Sequence, residues 1–139
     1  MQTVRDVMTA DVVTLPPETT LAHAARLMRE QDIGDIVVAD GNGPAGLVTD
    51  RDIVIRAVAE GRDPASTTLG EILTPDLVTV RPDDTVQSAA LLMRDNAVRR
   101  VLVCEGDRAL VGIVSIGDLA EEIDPESVLG GISRAEPNN

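Results

Sequence analysis

The stretch Gly46-Leu47-Val48-Thr49-Asp50-Arg51-Asp52 returns as Gly112-Ile113-Val114-Ser115-Ile116-Gly117-Asp118 in this chain of 139 residues. This repetition is the feature from which the fold is predicted. The residues that precede each copy also repeat, with a shift of 65 until one inserted residue just before the second copy. A repeat of this length is too long for a solenoid unit and too short for most independent domains. We therefore expect two similar half-units across a pseudo-twofold axis, with any function at the junction between them.

Each repeat predicts the order β-α-β-β-α, preceded by a short helix. Thr3 and Thr68 each stand three residues before an acid, which is the capping-box spacing that starts a helix. After a short extended piece, Thr20 and Thr85 precede apolar residues at i, i+3, i+4 and i+7, which is typical of an amphipathic helix. Two β-branched runs and a closing helix follow. For the first closing helix the apolar spacing predicts an inner face of Ile53, Val54, Ala57 and Val58.

The predicted fold class is therefore α/β (α+β), with two tandem β-α-β-β-α units and small mixed sheets packed against helices. The repeat boundaries predict a first domain over 1–60, a linker over 61–67 and a second domain over 68–123. Residues 124–139 are predicted to form a C-terminal helix or a flexible tail.

The composition excludes several classes of function. There is no Phe, Tyr or Trp to stack on a base, and the formal net charge of −12 repels a phosphate backbone, so we expect no nucleic-acid partner. All 12 cationic residues are Arg, which excludes Schiff-base chemistry and a lysine-containing phosphate loop. An enzyme is also disfavoured, since one His and one Cys without Lys or Tyr leave few groups for catalysis.

The chain has a single cysteine and a single histidine, which limits the disulfide and metal chemistry available to it. Cys104 cannot form a disulfide within the chain, and Cys104 with His23 cannot make a Cys/His metal cluster. We expect Cys104 to be a small buried hydrophobe and His23 to be solvated. No signal pattern begins the chain and no apolar run reaches membrane-spanning length. The expected location is the cytoplasm, without a membrane partner.

The tandem layout resembles the cystathionine-β-synthase (CBS) domain pair. Both opening stretches match that family's closing motif, Gly-h-h-[Ser/Thr]-x-x-Asp (h, apolar), and Asn96–Val101 resembles the segment that leads into its second strand. The match covers roughly residues 3–121 and is similar to stand-alone actinobacterial CBS pairs of the hypoxic-response type. The resemblance implies a regulatory, energy- or metabolite-sensing module without a required cofactor. It would bind AMP, ADP, ATP or S-adenosylmethionine in clefts between its halves and signal to an unidentified effector protein by changing conformation.

The resemblance also implies which residues bind the ligand. Asp52 and Asp118 would take the ribose hydroxyls, Thr49 and Ser115 would take the phosphate, and backbone and apolar groups would wall the base. A carboxylate can accept two vicinal hydroxyl protons, and an Arg near the site can pair with phosphate. The implied set in full is Thr14, Ile36, Val37, Thr49, Arg51, Asp52, Thr79, Arg100, Val101, Leu102, Ser115 and Asp118.

Structural alternatives remain for these residues. The Thr49-x-x-Asp52 and Ser115-x-x-Asp118 pairs are capping boxes in their own right, each worth about 1 kcal/mol. Neighbouring acids can balance Arg51, and Arg100 can equally form an ordinary ion pair. Val37 and Leu102 stand where many family members have proline, which favours the alternative of a ligand-free interaction dimer with vestigial clefts. A homodimer, head-to-head or head-to-tail, is the expected assembly in either case.

Overall fold

The computed structural model describes residues 2–75, 77–106 and 109–120. In the first repeat the elements are α1 (Val4–Val7), β1 (Thr14–Leu15), α2 (Leu21–Gln31), β2 (Asp35–Asp40), β3 (Gly43–Thr49) and α3 (Asp50–Ile53), which continues into a π-helical segment (Val54–Val58). In the second they are α4 (Leu69–Ile72), β4 (Thr79–Val80), α5 (Val86–Asn96), β5 (Arg100–Glu105), β6 (Ala109–Ser115) and α6 (Ile116–Ala120). The helix or tail predicted over 124–139 lies outside the described residues.

The strands form two mixed sheets of three strands each, in the orders β1-β2-β3 and β4-β5-β6. In each sheet the first pair of strands is parallel and the second pair is antiparallel. Thr14 pairs with Val37 in one sheet, and Thr79 pairs with Leu102 in the other. The predicted α/β (α+β) class with small mixed sheets and tandem β-α-β-β-α units is confirmed.

The two long helices begin and end in the same way. The Thr20 hydroxyl oxygen accepts a hydrogen bond from the backbone N–H of His23 at 3.2 Å, and Thr85 accepts one from Ser88 at 3.0 Å, so both predicted N-caps form. Each helix ends in the residue after its last turn, Asp32 or Ala97, which adopts the left-handed conformation that stops a helix. Local sequence therefore fixes the length of both helices.

The compact units differ from the sequence repeats. One unit, called the first unit, holds residues 13–77; the second unit holds residues 2–12 with the described residues from 78 onward. Each one-turn helix packs in the core that the other repeat supplies: Leu69 of α4 is fully buried in the first unit, and Val4 of α1 is fully buried in the second. The predicted boundaries at 1–60 and 68–123 follow the repeat, whereas the compact units exchange these two helices.

The helix after β3 differs from its predicted inner face. Ile53 and Ala57 are buried as expected, but Val54 and Val58 are 54% and 58% exposed, so the prediction was wrong for these two valines. The reason is the π-helical segment, in which hydrogen bonds run from residue i to i+5, as from Ala59 N to Val54 O. A π-helical turn holds more residues than an α-helical turn, so the apolar spacing of an α-helix no longer applies. Only Ile53 and Ala57 of the four predicted residues then face the core.

Both cores are aliphatic, since the chain has no aromatic side chain. The core of the first unit is formed by Leu21, Ala24, Met28, Ile36, Val38, Val48, Ile53, Ala57, Leu69 and Ile72. The core of the second unit is formed by Val4, Val80, Val86, Ala89, Ala90, Met93, Val101, Val103, Val114, Ile116 and Leu119. Within the described part of the chain, no helix has the length and apolarity that a membrane crossing requires.

Candidate functional site

The Thr/Ser-x-x-Asp pairs form the same hydrogen bonds at the end of each sheet. The Thr49 backbone N–H donates to Asp52 Oδ2 at 2.9 Å, and the Asp52 N–H donates to Thr49 Oγ1 at 3.1 Å. The matching distances for Ser115 and Asp118 are 2.9 Å and 3.2 Å. All four residues are half-buried. Both pairs therefore form the capping boxes that their spacing predicted.

The capping bonds leave binding capacity at both boxes. Each carboxylate uses Oδ2 for the cap, which leaves Oδ1 outside the capping bonds; at Asp52 that oxygen also faces the Arg56 guanidinium but has more than one lone pair. Each hydroxyl oxygen serves as an acceptor in the cap and keeps its O–H proton. A carboxylate oxygen can accept from a ligand hydroxyl, while a hydroxyl can donate to a phosphate or a carbonyl. Capping and ligand binding are compatible at these residues.

Arg56 distinguishes the first box from the second. Its Nε lies 3.7 Å from Asp52 Oδ1, and its Nη1 donates to the carbonyl oxygen of Ile72 at 2.8 Å. Arg56 thus connects the Asp52 carboxylate to the last residue of α4. Sequence reasoning missed this residue, although the i, i+4 spacing of Asp52 and Arg56 is the signal that predicts such a pair.

The strand residues divide between the two faces of each sheet. Thr14 and Thr79 are exposed on the edge strands, paired with Val37 and Leu102, which are almost fully buried. Successive side chains along a strand point to opposite faces. Ile36 and Val101, which precede Val37 and Leu102, belong to the core clusters of their units. The side chains of Ile36 and Val101 therefore lie on the opposite face of their sheet from those of Val37 and Leu102.

We group the predicted ligand residues by unit and call each group a half-site; Ile36 and Val101 belong to these groups by sequence prediction, although their side chains face the core. The first half-site is Thr14, Ile36, Val37, Thr49, Arg51 and Asp52, all in the first unit. The second half-site is Thr79, Arg100, Val101, Leu102, Ser115 and Asp118, all in the second unit. In each, strand pairing brings a charged residue opposite the hydroxyl: Asp35 pairs with Thr49, and Arg100 pairs with Ser115.

The other chemically active groups lie outside the half-sites. Cys104 is buried, as expected, and its burial raises the pKa of the thiol, so the reactive thiolate is disfavoured at neutral pH. His23 is exposed on α2, also as expected. Among residues 2–75, 77–106 and 109–120, no group of three or more His, Cys, Asp or Glu side chains is placed to hold a metal ion.

Comparison with known proteins identifies the family. A family model of the CBS domain matches residues 4–58 and again residues 69–125. The chain belongs to the CBS-domain family. Both CBS matches begin at a one-turn helix, α1 or α4, so each CBS repeat includes the helix that packs in the other unit.

Two curated relatives match this chain over most of their own length. The CBS domain-containing protein YhcV of Bacillus subtilis is 38% identical over 120 residues, which is 86% of this chain and 84% of YhcV. Hypoxic response protein 1 of Mycobacterium tuberculosis is 38% identical over 130 residues, covering 93% of this chain and 90% of that protein. The predicted similarity to the hypoxic-response type is confirmed.

A solved structure shares the fold. The crystal structure of Hypoxic Response Protein I, described with two coordinated zinc ions, has a TM-score of 0.75 and 40% sequence identity. The match covers 88% of this chain and 100% of that chain. The zinc ions are a property of that protein. This CBS pair is accordingly a regulatory-type module by family.

Proposed function

We propose that this CBS pair binds an adenosine-type ligand, AMP, ADP, ATP or S-adenosylmethionine, at its two half-sites. Ligand occupancy would then be passed to an effector protein by a change of conformation. One observation carries the proposal: the same hydroxyl and carboxylate occur twice, with hydrogen-bond distances that agree within 0.1 Å. Each copy lies in the unit that also holds an exposed edge-strand threonine, Thr14 or Thr79.

The chemistry of the half-sites suits a nucleoside. Asp52 and Asp118 keep a carboxylate oxygen after capping, and a carboxylate can accept hydrogen bonds from the vicinal hydroxyls of a ribose. The hydroxyls of Thr49 and Ser115 can donate to a phosphate or a carbonyl oxygen. The Asp52 side chain is 19% exposed, so a bond to it forms in a partly desolvated environment where it is stronger than in water.

A dye-based thermal-shift titration with AMP, ADP, ATP and S-adenosylmethionine tests the proposal. A ligand that binds only the native state stabilises it by RT ln(1 + [L]/Kd), about 2.7 kcal/mol at a hundredfold excess over Kd. We expect a dose-dependent rise in Tm for at least one ligand, abolished by Asp52→Asn combined with Asp118→Asn. A dye is needed because the chain contains no Trp or Tyr.

Asp6→Asn is the matched control for the loss of a capping carboxylate. Asp6 Oδ2 accepts from the Thr3 N–H at 3.0 Å, as Asp52 does from Thr49, but Asp6 lies outside both half-sites. Asp6→Asn should leave the ligand response intact. Equal ligand affinity in the wild type and in the Asp52→Asn, Asp118→Asn double variant would refute the proposed sites.

We propose further that the module does not turn its ligand over. The half-sites offer carboxylates and hydroxyls, and no His, Cys or Lys belongs to them. Incubation with ATP should therefore produce no ADP above background. ATP hydrolysis that disappears in Asp52→Asn would contradict this proposal.

A second candidate function, an interaction dimer, is favoured by the exposed apolar segment at Val54, Ile55 and Val58. These side chains are 54%, 48% and 58% exposed, and clustered apolar exposure is typical of an interface. A second copy of this chain presents the same three side chains, so two segments that meet across a twofold axis bury apolar surface on both copies. The segment would then form a homodimer interface.

The mass in solution tests this candidate. Light scattering should give the dimer mass for the wild type and the monomer mass for Ile55→Asp, while Leu91→Asp, at an apolar position 41% exposed on α5, should remain a dimer. A monomeric wild type would exclude the homodimer. A flat thermal-shift panel together with a dimer that Ile55→Asp dissociates would favour the ligand-free interaction protein.

A further inference from the structure

The two half-sites share one backbone frame but carry opposite charge beside the hydroxyl. In the antiparallel pairs β2-β3 and β5-β6, Asp35 lies opposite Thr49 and Arg100 lies opposite Ser115. Residues directly opposite each other in such a pair have Cβ atoms about 5 Å apart on the same face of the sheet. A group bound by the Thr49 hydroxyl is therefore next to a carboxylate, and one bound by Ser115 is next to a guanidinium.

A second pair of equivalent positions repeats the contrast. Asp50 N donates to the carbonyl oxygen of Gly34 at 3.0 Å, and Ile116 N donates to that of Arg99 at 2.8 Å, so Gly34 matches Arg99 and Asp50 matches Ile116. A Cβ at Gly34 would lie 3.3 Å from Asp50 Oδ2, which places the Asp50 carboxylate directly beside Gly34. Where the first unit has a carboxylate and no side chain, the second has an arginine and an isoleucine.

The cations of the first half-site do not reverse its charge. Arg56 is already paired with Asp52 and hydrogen-bonded to Ile72 O. Arg51 lies between Asp50 and Asp52 in sequence, and its side chain is exposed. Among the described residues, the positions paired with or next to Thr49 thus hold three carboxylates, at 35, 50 and 52, and these two guanidiniums. The matching described positions around Ser115 hold two guanidiniums, at 99 and 100, and the carboxylate of Asp118.

We propose that the two half-sites select adenosine compounds of different charge. The second half-site takes a compound that carries a phosphate, and the first takes one that is uncharged or cationic at that position. Asp35 and Arg100 are the residues that set this selectivity. The inference rests on the proposed adenosine binding and assigns a ligand class to each half-site. Arg99, Arg100 and Asp35 already take part in other interactions; the selectivity follows from their charge, which a neighbouring phosphate senses whether or not they move.

Isothermal titration calorimetry with AMP, adenosine and S-adenosylmethionine tests the assignment, because these probes share the nucleoside and differ in charge. For AMP we expect Kd to rise about tenfold or more in Asp118→Asn and in Arg100→Gln, and to stay within about twofold in Asp52→Asn. For S-adenosylmethionine, whose sulfonium is cationic, the order should reverse: Asp52→Asn and Asp35→Asn weaken binding and Arg100→Gln does not. Adenosine should respond to Asp52→Asn and be insensitive to Arg100→Gln.

A charge reversal supplies a gain of binding. Asp35→Arg gives the first half-site the residue that the second carries at the same register position, and should raise the AMP stoichiometry from one to two per chain. Asp6→Asn should match the wild type with all three probes. Equal weakening of AMP by Asp52→Asn and Asp118→Asn would overturn the selectivity while leaving adenosine binding in place. No heat from any probe would instead refute the proposed function itself.

Discussion

The first and second units bury a one-turn helix in the same way but with different side chains. Each receives a one-turn helix from the other repeat, held by Leu69 in the first unit and by Val4 in the second, both fully buried. A single turn of helix is unstable alone, because nucleation costs more than one turn of hydrogen bonds returns. Both helices therefore depend on packing. The positions that pack agree between the repeats, while positions facing the half-sites, such as Asp35 and Arg100, have diverged in charge.

A close backbone approach is the second feature that both units keep. After α4, Thr74 pairs with Leu47 of β3; after α1, Thr9 pairs with Ile113 of β6. The neighbouring strand residue is a glycine each time, Gly46 or Gly112. A Cβ at Gly46 would lie 2.8 Å from Thr74 O, and one at Gly112 would lie 2.9 Å from Thr9 O. The glycine of the family motif thus admits the segment that follows the exchanged helix.

Of the substitutions considered, Leu69→Ala should lower the free energy of unfolding most. Removing a fully buried leucine costs the transfer free energy and leaves a cavity, so we expect a loss of about 3 kcal/mol in the free energy of unfolding. Chemical denaturation followed by far-UV circular dichroism measures it. Leu91→Ala, at a position 41% exposed, should change stability by less than about 0.5 kcal/mol. Equal effects at the two leucines would show that α4 does not pack in the core of the first unit.

Gly46→Ala and Gly112→Ala should each cost about 2 kcal/mol, because the methyl group forces backbone atoms apart. The two losses should agree, since the clashing carbonyl oxygens lie at 2.8 Å and 2.9 Å. Gly41→Ala is the control, as a Cβ there meets no atom within 4 Å. Denaturant midpoints of the three variants give the measurement. A large loss at one glycine alone would mean that the exchanged helices are held differently in the two units.

The elements predictable from sequence are those set by local chemistry and by the repeat. Thr20 and Thr85 predicted the starts of the long helices, and the capping spacing predicted α1, α4 and the bonds at Asp52 and Asp118. Each of these is a contact between residues three apart, so a short window of sequence contains all the information. The mixed sheets and the CBS family followed because the repeat occurs twice in the same order.

Long-range features were not predictable in the same way. The exchange of α1 and α4 depends on which core each helix joins, and identical spacing in both repeats fits either choice. The exposure of Val54 and Val58 depends on a π-helical turn that apolar periodicity does not encode. The hydrogen bond from Arg56 to Ile72 O joins residues that are 16 positions apart in the sequence and belong to different helices. Ligand selection by the half-sites remains a prediction.

The smallest expected effect concerns the capping boxes of the exchanged helices, through the pH dependence of stability. Hydrogen bonds from the Thr68 backbone N–H and hydroxyl, followed by the charge of Arg62, lower the pKa of Glu71. A carboxyl with a lowered folded pKa adds stability in full above its unfolded value, near 4.3, and loses that contribution as the pH falls through the folded value. Glu71 is solvent-exposed, so the contribution is small.

Thermal unfolding of the wild type and Glu71→Gln between about pH 3 and 6 measures this contribution. The gap in Tm should be widest above about pH 5 and close towards about pH 3, because the protonated glutamate and the glutamine are both neutral. Glu30→Gln, at an exposed position on α2, removes one carboxylate outside the α4 box and is the control for the change in net charge. A Tm difference between the wild type and Glu71→Gln that is constant with pH would mean that the charge of Glu71 does not stabilise α4.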